Sequence, residues 1–324
     1  MIEKYYDGAI EQVAAGLGTV EKNYLLVRYS GQFSVENLND TKQLEKNEDI
    51  FVQVHEFETG EITCAYEPYL TMICDGFRRY MTGTFEEFME TCDVYYLHRP
   101  VLLGYFNQDN TGREEIILLD EVAYEQERML AALERMLCAI ADRHPVLFVL
   151  NRFQLASKST MQLTARFLKC ENCNIGLVLG VSDVQAMPEF LVPDWEMLYE
   201  TLDDGSKIYH IGNSGRKKEE TIDDEKYVDY GSEKVYRKLQ NMVEFLDFDQ
   251  AAYYLETIER KIKFDNLLVD DAARFRMWLL FVKVSILRQD IPKALEICED
   301  LEKIHLAGKE EECAYEQDYL IATA

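Results

Sequence analysis

The sequence has 324 residues, more than one average domain, and 48% of them are apolar, which is enough for two hydrophobic cores. Its 34 basic and 60 acidic residues give a formal net charge of −26, which repels a phosphate backbone and argues against nucleic-acid binding. The sequence has neither an apolar run near the roughly 20 residues of a bilayer span nor the pattern of a signal peptide. We therefore expect a cytoplasmic protein without membrane contact, whose acidic surface faces other proteins.

The first hundred residues alternate between helical and strand patterns. Gly8–Leu17 predicts a short helix. The apolar runs Tyr24–Arg28 and Ile50–His55 predict two strands, and the polar stretch Ser34–Lys46 between them has a helical pattern. Residues 66–98 are mixed and largely helical in pattern. This part of the chain therefore predicts a strand, helix, strand unit.

A strong helix and two continuous apolar strands follow. Four apolar residues at intervals of three and four predict the helix, with Asp120 as its N-cap: Leu130, Leu133, Leu137 and Ile140. This helix must end before Pro145. Val146–Leu150 and Ile175–Val181 are apolar throughout, and Ser157–Leu168 between them predicts a capped helix. Because apolar strands that alternate with helices are buried on both faces, we expect an α/β fold with a parallel sheet.

The composition changes after residue 204. Gly205–Asp224 contains one short strand pattern, Lys207–Ile211, followed by glycine and charge without periodicity. From Gly231 onward the pattern is helical. We therefore predict an α/β domain over residues 1–212, a linker over 213–230, and an all-α domain over 231–324.

The helical half contains a weak internal repeat. Asp247–Ala251 and Asp290–Ala294 lie 43 residues apart, and each opens an amphipathic helix, with Pro292 at a position that suits a helix start. Such a pattern is typical of an array of helical hairpins. Because these arrays usually need three or more units to bury a continuous core, we expect the chain to be cut from a longer array.

Four segments, taken in order, carry a resemblance to a known class. They are YLLVRYSG, DIFVQVHEFE with YEPYLTM after it, HPVLFVLNRFQLASKSTMQLTARFL and NIGLVLGVSD. This order resembles the STAND class of AAA-like P-loop NTPases, which are signal-transduction ATPases similar to the bacterial maltose regulator. The resemblance covers roughly residues 8–212 and, in kind, the helical half. It implies a P-loop NTPase-like domain followed by TPR-like repeats, in a regulator of signalling.

The phosphate-binding motif of that class is degenerate here. The motif G-x-x-x-x-G-K-[ST] supplies glycines for close backbone approach, a lysine for charge and a hydroxyl for magnesium. With Gly31 as the first glycine, the later positions hold Glu36, Asn37 and Leu38. The lysine is therefore replaced by a neutral side chain, and Glu36 would repel a triphosphate.

The acids that hold magnesium and orient the attacking water are also replaced. At the end of the third strand their positions hold Asn151 and Arg152. Ser182, after the fourth strand, stands where the class often senses the γ-phosphate, although a loop hydroxyl with no such role is the commoner reason for a serine there. We expect a pseudo-ATPase with no catalytic residue and a vestigial nucleotide pocket. The residues of that pocket are Ser30, Gly31, Gln32, Phe33, Asn151, Arg152 and Ser182.

No metal or cofactor is expected. Cys170 and Cys173 have the spacing of half a zinc site, but the sequence has no second pair of this kind and its five histidines are dispersed. Weak ATP binding without turnover stays open, because an arginine could replace part of the charge of a metal ion.

The first hypothesis for function is a non-catalytic regulatory or scaffolding module of a larger cytoplasmic signalling protein. A protein or a small-molecule effector would bind the helical repeats and so change the state of an output domain beyond residue 324. Tyrosine is a common interface anchor. The tyrosines that we select for this role are Tyr253, Tyr254, Tyr315 and Tyr319.

Two alternatives remain. A divergent ATPase or nucleotide-binding switch would bind nucleotide through the backbone amides of Ser30–Phe33, with an acid from Asp183 or a partner subunit. An unrelated α/β domain would share only similar strands with the class. The order and direction of the strands distinguish the P-loop ancestry from the unrelated domain.

Overall fold

The computed structural model describes residues 2–19, 23–30, 33–35, 49–58, 60–108, 122–172, 174–182, 187–203, 207–211, 229–265 and 267–304. The chain divides into two compact units. One comprises Met1–Asn110 with Arg128–Lys226, and the other comprises Thr111–Glu127 with Tyr227–Ala324. We call them the α/β unit and the helical unit. The helical unit takes in residues 111–127, which the predicted limits placed in the first domain.

Seven helices and five strands are described up to residue 211. In chain order they are α1 (Ile2–Gly16), β1 (Asn23–Tyr29), β2 (Phe51–Glu56), α2 (Tyr69–Tyr80), α3 (Phe85–Thr91), α4 (Arg99–Asn107), α5 (Val122–Ala141), β3 (Val146–Asn151), α6 (Lys158–Lys169), β4 (Ile175–Ser182), α7 (Val192–Asp203) and β5 (Lys207–Ile211). Short 3-10 turns lie at Phe153–Leu155 and Glu189–Leu191. Within the described ranges, no helix combines the length and apolar character needed to cross a membrane.

The strands form one sheet in the order β2-β3-β4-β1-β5. Each neighbouring pair is parallel. The predicted α/β fold with a parallel sheet is therefore confirmed. β1 lies beside β4, and β3 lies on the other side of β4, so the three apolar strands that the sequence singled out are adjacent and run in one direction.

Alternation along the strands gives the sheet two buried faces. One face packs against α1, whose Tyr6, Ile10 and Val13 are each 0% exposed and belong to one cluster with Val27 and Val149. On the opposite face the Tyr69 ring of α2 lies 4.7 Å from the ring of Phe148, between ring centroids. The last residues on the α1 face of β1, β2 and β3 are Tyr29, Glu56 and Asn151.

The predicted helices differ from the structure mainly at their ends. α1 begins at Ile2 rather than at Gly8, because Tyr6 forms part of the buried stripe although charged and polar residues surround it. Ser157 caps α6 as predicted, with its hydroxyl accepting from the Thr160 amide. Ser34, at the start of the predicted Ser34–Lys46 helix, lies outside any helix, and residues 36–48 fall outside the described residues, as does Asp120.

Four described helices follow in the helical unit: α8 (Glu233–Glu244), α9 (Phe248–Phe264), α10 (Asp271–Leu287) and α11 (Ile291–Leu301). The turns α8–α9 and α10–α11 have the same geometry. Leu246 has a φ of 67° and Gln289 a φ of 61°. In each turn the next residue, an aspartate, donates its backbone N–H to a carbonyl five residues earlier, at 2.7 Å and 2.8 Å respectively. This is the Schellman arrangement, which ends a helix with a left-handed residue.

Ion pairs join α9 to α11 in this unit. Glu259 is 6% exposed. Its carboxylate lies 2.7 Å from Lys263 Nζ and 2.8 Å from Lys293 Nζ. The same lysines also contact Glu296. Two cations therefore compensate the buried carboxylate, as the burial of a charge requires.

Candidate functional site

The topology of the sheet places a crevice at the carboxyl ends of the central strands. From β1 the chain continues to β2 at one edge of the sheet, whereas from β4, which is adjacent to β1, it continues to β5 at the other edge. In open parallel sheets, ligands bind where neighbouring strands continue in opposite directions. The candidate site is therefore at this end of β1, β4 and β3.

Asn151, the last residue of β3, is 0% exposed, and its side chain is hydrogen-bonded within the protein. Its Oδ1 accepts hydrogen bonds from the hydroxyls of Tyr29, at 2.8 Å, and Tyr6, at 3.3 Å. Its Nδ2 donates to the Phe33 carbonyl at 3.2 Å. The side chain thus uses both its acceptor and its donor function within the protein.

Aromatic rings fill the space around Asn151. The Phe33 ring lies 5.1 Å from the Tyr6 ring and 5.7 Å from the Tyr29 ring, between centroids. Gly180 of β4 provides the room for this arrangement, because a Cβ there would overlap the Tyr6 hydroxyl and lie 2.6 Å from Asn151 Oδ1. Buried side chains of the protein itself therefore occupy the space around Asn151.

Glu56 supplies the carboxylate at this edge. It ends β2, in register with Asn151. Its Oε2 accepts from Ser34 Oγ at 2.6 Å and from the Val35 amide at 3.1 Å. Its Oε1 lies 3.3 Å from Arg152 Nε. We call the group formed by these contacts the carboxyl-edge cluster. Its members are Tyr6, Tyr29, Ser34, Val35, Glu56, Asn151 and Arg152.

The backbone of Arg152 directs its side chain to Glu56. Arg152 has φ 53° and ψ 42°, a left-handed conformation that is uncommon for a residue other than glycine. It turns the chain out of β3 and into the 3-10 turn. The side chain is 23% exposed and that of Glu56 is 15% exposed, so their ion pair is partly shielded from water.

The two phenols of the cluster stay neutral at physiological pH. The pKa of Tyr29 is raised to about 12. Burial is the main cause and the Glu56 carboxylate adds to the rise, whereas the Arg152 guanidinium and the Asn151 hydrogen bond oppose it. Burial also raises the pKa of Tyr6 well above its ordinary value, with smaller contributions from Tyr29 and Glu56. Both hydroxyls therefore act as hydrogen-bond donors and not as bases.

The other residues of the expected pocket are placed differently. Ser30 is exposed at the end of β1, and Gly31 and Gln32 lie outside the described residues. Ser182 is 5% exposed. Its backbone N–H donates to Gln154 Oε1, and its carbonyl accepts from Gln154 Nε2, both at 3.3 Å. Of the expected pocket, Asn151 and Arg152 thus belong to the cluster, and Phe33 contacts it through its carbonyl and its ring. The backbone of Ser182 is held by Gln154.

Sequence reasoning missed five members of the cluster and the residue that holds Ser182. They are Tyr6, Tyr29, Ser34, Val35, Glu56 and Gln154. Tyr6 and Gln154 carry no sequence signal, because their contacts depend on the packing of α1 and of the 3-10 turn against the sheet. Glu56 had one: it is an acid directly after an apolar strand, at the edge of the sheet where the carboxyl ends of parallel strands meet. The apolar criterion ended that strand at His55 and so excluded it.

The described part of the chain shows no group of three or more histidine, cysteine, aspartate or glutamate side chains suited to a metal ion. Cys170 Sγ lies 3.6 Å from Cys138 Sγ. Burial raises the pKa of the Cys138 thiol, and Cys170 raises it further. Cys173 lies outside the described residues.

Two of the four selected tyrosines can be located. Tyr253 and Tyr254 are half-buried on α9, with their rings edge to face and 5.4 Å between centroids. Tyr315 and Tyr319 lie outside the described residues. Large apolar side chains are more exposed elsewhere in the helical unit, at Phe264 (76%) and Leu268 (94%).

Comparison with protein-family models, with curated proteins and with solved structures found no match to this chain.

Proposed function

We propose that the protein is a non-catalytic module whose α/β unit descends from P-loop NTPases and whose activity is binding. The single observation that carries this proposal is the state of Asn151. At the position where an ATPase holds its magnesium through an acid, this chain has a neutral side chain that is 0% exposed and bonded to two phenols and a carbonyl. Phosphoryl transfer depends on positioning and charge neutralisation, so the cluster lacks what the reaction needs.

The order of the strands supports the P-loop ancestry. The strand that precedes the expected phosphate loop, β1, is interior to the sheet and directly beside β4, with β3 next to β4 and all three parallel. An antiparallel arrangement of these strands would have contradicted that ancestry.

The helical unit supports a role in binding partners. Its two turns repeat the same backbone geometry 43 residues apart, as expected of TPR-like hairpins. Phe264 and Leu268 present large apolar side chains to solvent. We infer that this unit binds a protein or a small effector, and that the protein is part of a regulatory or scaffolding assembly of cytoplasmic signalling.

Calorimetry with ATP and magnesium tests the non-catalytic assignment. We expect no binding heat, no shift of the melting temperature and no phosphate release at millimolar ATP. A binding response that requires magnesium would overturn the proposal and favour the divergent ATPase or nucleotide switch. In that case Arg152→Ala should weaken binding, because Arg152 is the described cation at this edge that could replace part of the charge of a metal.

A further inference from the structure

Two half-buried thiols lie in contact in the α/β unit. Cys138 is in the last turn of α5, and Cys170 is the first residue after α6. Their Sγ atoms are 3.6 Å apart. The other four described cysteines are buried: Cys64, Cys74, Cys92 and Cys298. Among the described thiols, this pair is therefore the one that a reagent in solution can partly reach.

Side-chain contacts on both sides hold the two thiols together. Four residues before each cysteine, Arg166 Nε donates to Glu134 Oε2 at 2.7 Å. Just past the pair, Asn172 Nδ2 donates to Asp142 Oδ1 at 2.9 Å. The thiol pair is thus the middle one of three successive contacts along α5, spaced about one helical turn apart. The flanking contacts keep the sulfur atoms close to each other.

The backbone of Cys170 leaves room for a bond between the sulfurs. A disulfide requires their separation to shorten from 3.6 Å to about 2.0 Å. Cys170 lies beyond the last helical residue and has an extended backbone, with φ −71° and ψ 138°. A small shift of this cap residue, with rotation about the Cα–Cβ bonds, therefore brings the sulfurs together without a change in the interior of α6.

The surroundings suit a neutral disulfide better than a metal ion. Burial raises the pKa of the Cys138 thiol, and the neighbouring Cys170 sulfur raises it further. The carboxylates of Glu134 and Asp142 add to the rise. A metal ion binds thiolates, and the described residues offer no group of three or more side chains suited to one. A disulfide carries no charge and so avoids the cost of burying one.

We propose that Cys138 and Cys170 are an oxidation-sensitive dithiol, which a small-molecule disulfide converts into a bond between α5 and the end of α6. One cysteine attacks the oxidant as a thiolate, so that a mixed disulfide forms and one small thiol leaves. The second cysteine attacks the protein sulfur of the mixed disulfide, which forms the Sγ–Sγ bond and releases a second small thiol. The cysteines lose two electrons to the oxidant, and their two protons end on the released thiols.

Peptide mapping of the full wild-type chain tests this bond. The protein is equilibrated with oxidised glutathione in excess over reduced glutathione, its free thiols are alkylated, and it is cleaved with trypsin. We expect the peptide of residues 136–143, which contains Cys138, to be linked to the peptide that begins at Cys170. An excess of reduced glutathione should remove the link. Recovery of Cys138 only as a free thiol or as a mixed disulfide with glutathione would overturn the proposal.

Cys173→Ser is the matched control. Cys173 is three residues from Cys170 in the sequence and shares its tryptic peptide. The link to Cys138 should persist in this variant. A link in the wild type from Cys170 to Cys173 in place of Cys138 would contradict the proposal.

The melting temperature of the α/β unit provides a second measurement, followed by Trp195 fluorescence in a Trp278→Phe background. Cys138 and Cys170 are 32 residues apart in the chain, so a bond between them constrains the unfolded state. We expect oxidation to raise the melting temperature by about 5–10 °C. Cys173→Ser should keep this rise, whereas Cys138→Ser and Cys170→Ser should each lose it.

An equal rise in Cys138→Ser would assign the effect to other cysteines and contradict the proposal. If either serine variant does not fold, alanine at the same position replaces it. The mapping of the wild type needs no variant and decides the matter in either case.

Discussion

Tyr29 and Asn151 are joined by a hydrogen bond of 2.8 Å between the phenolic hydroxyl and the amide oxygen, and the residues are 1% and 0% exposed. The same amide donates its N–H to the Phe33 carbonyl. This position therefore requires a side chain that both accepts and donates. A carboxylate can only accept.

The first prediction concerns Asn151→Asp, which replaces the buried amide by a carboxyl group of nearly the same size. The carboxylate can accept from both phenols but cannot donate to the Phe33 carbonyl, so we expect a loss of about 2–4 kcal/mol in the free energy of unfolding. Burial raises the pKa of the new carboxyl, so the loss should be greater at pH 8 than at pH 5, as the group becomes charged in the unfolded chain first.

Urea denaturation followed by Trp195 fluorescence measures this loss. The chain has two tryptophans, Trp195 in α7 and Trp278 in α10, so a Trp278→Phe background reports on the α/β unit. Asn107→Asp, at the exposed end of α4, is the control and should cost less than about 1 kcal/mol. A stable Asn151→Asp protein that hydrolyses ATP would show that the site is a damaged enzyme.

The second prediction is a loss of stability in alkali through Tyr29. Its pKa is about 12 in the folded protein, against an ordinary value of 10.0. The unfolded chain therefore releases this proton first as the pH rises. The stabilising effect is full below pH 10 and is lost as the pH approaches 12, up to about 2–3 kcal/mol in total.

Urea titrations at pH 9, 10 and 11 test this prediction by comparing the wild type with Tyr29→Phe. At pH 9 the free energy of unfolding of the variant should be lower than that of the wild type by about 1 kcal/mol, because Asn151 loses its shorter hydrogen bond. The difference between the two proteins should then shrink as the pH rises above 10. If the free energies of unfolding of the two proteins differ by the same amount at every pH, Tyr29 ionises in the folded protein at its ordinary pKa.

The sequence predicted the strands well because burial on both faces of a parallel sheet leaves continuous apolar runs. β5 was predicted at Lys207–Ile211, and the structure places it at those residues. β2 is shifted by one residue at both ends, because its last residue, Glu56, is held by pairing with β3 and by three donors rather than by apolar burial.

The site could be predicted only in part. Asn151 and Arg152 were predicted because they end an apolar strand at positions where the resemblance to P-loop NTPases implies acids. Tyr6 was not, because its partner Asn151 lies 145 residues away along the chain and the contact depends on how α1 crosses the sheet. Local patterns carry no information about a contact of this kind.

The third prediction uses the two equivalent turns of the helical unit. Leu246 and Gln289 have nearly the same positive φ, but Leu246 is 1% exposed whereas Gln289 is exposed. Gln289→Gly should therefore stabilise the unit by about 0.5–1 kcal/mol by relieving backbone strain. Leu246→Gly relieves the same strain but removes a buried side chain, and should cost about 2–4 kcal/mol.

Trp278 fluorescence in a Trp195→Phe background follows unfolding of the helical unit. Because each variant changes the same backbone position of its turn, the difference between them isolates the contribution of the Leu246 side chain. Equal effects of the two substitutions would contradict this assignment.

The last prediction tests the packing of Tyr6 over the sheet. A Cβ at Gly180 would overlap the Tyr6 hydroxyl and lie 2.6 Å from Asn151 Oδ1, so Gly180→Ala should cost about 2–4 kcal/mol. Gly8→Ala, in α1, is the matched control, because a Cβ there meets nothing within 4 Å. An alanine in a helix is favoured over glycine, so Gly8→Ala should stabilise by about 0.5–1 kcal/mol.

A double-mutant cycle separates overlap with Tyr6 from strain in β4. In a Tyr6→Phe background the overlapping hydroxyl is absent, although the ring carbon that carried it still lies 2.8 Å from the added Cβ. Gly180→Ala should therefore cost about 1 kcal/mol less in that background than in the wild type. If the two costs are equal, Tyr6 does not occupy the space above Gly180, and the site is less tightly filled by side chains of the protein than the geometry indicates.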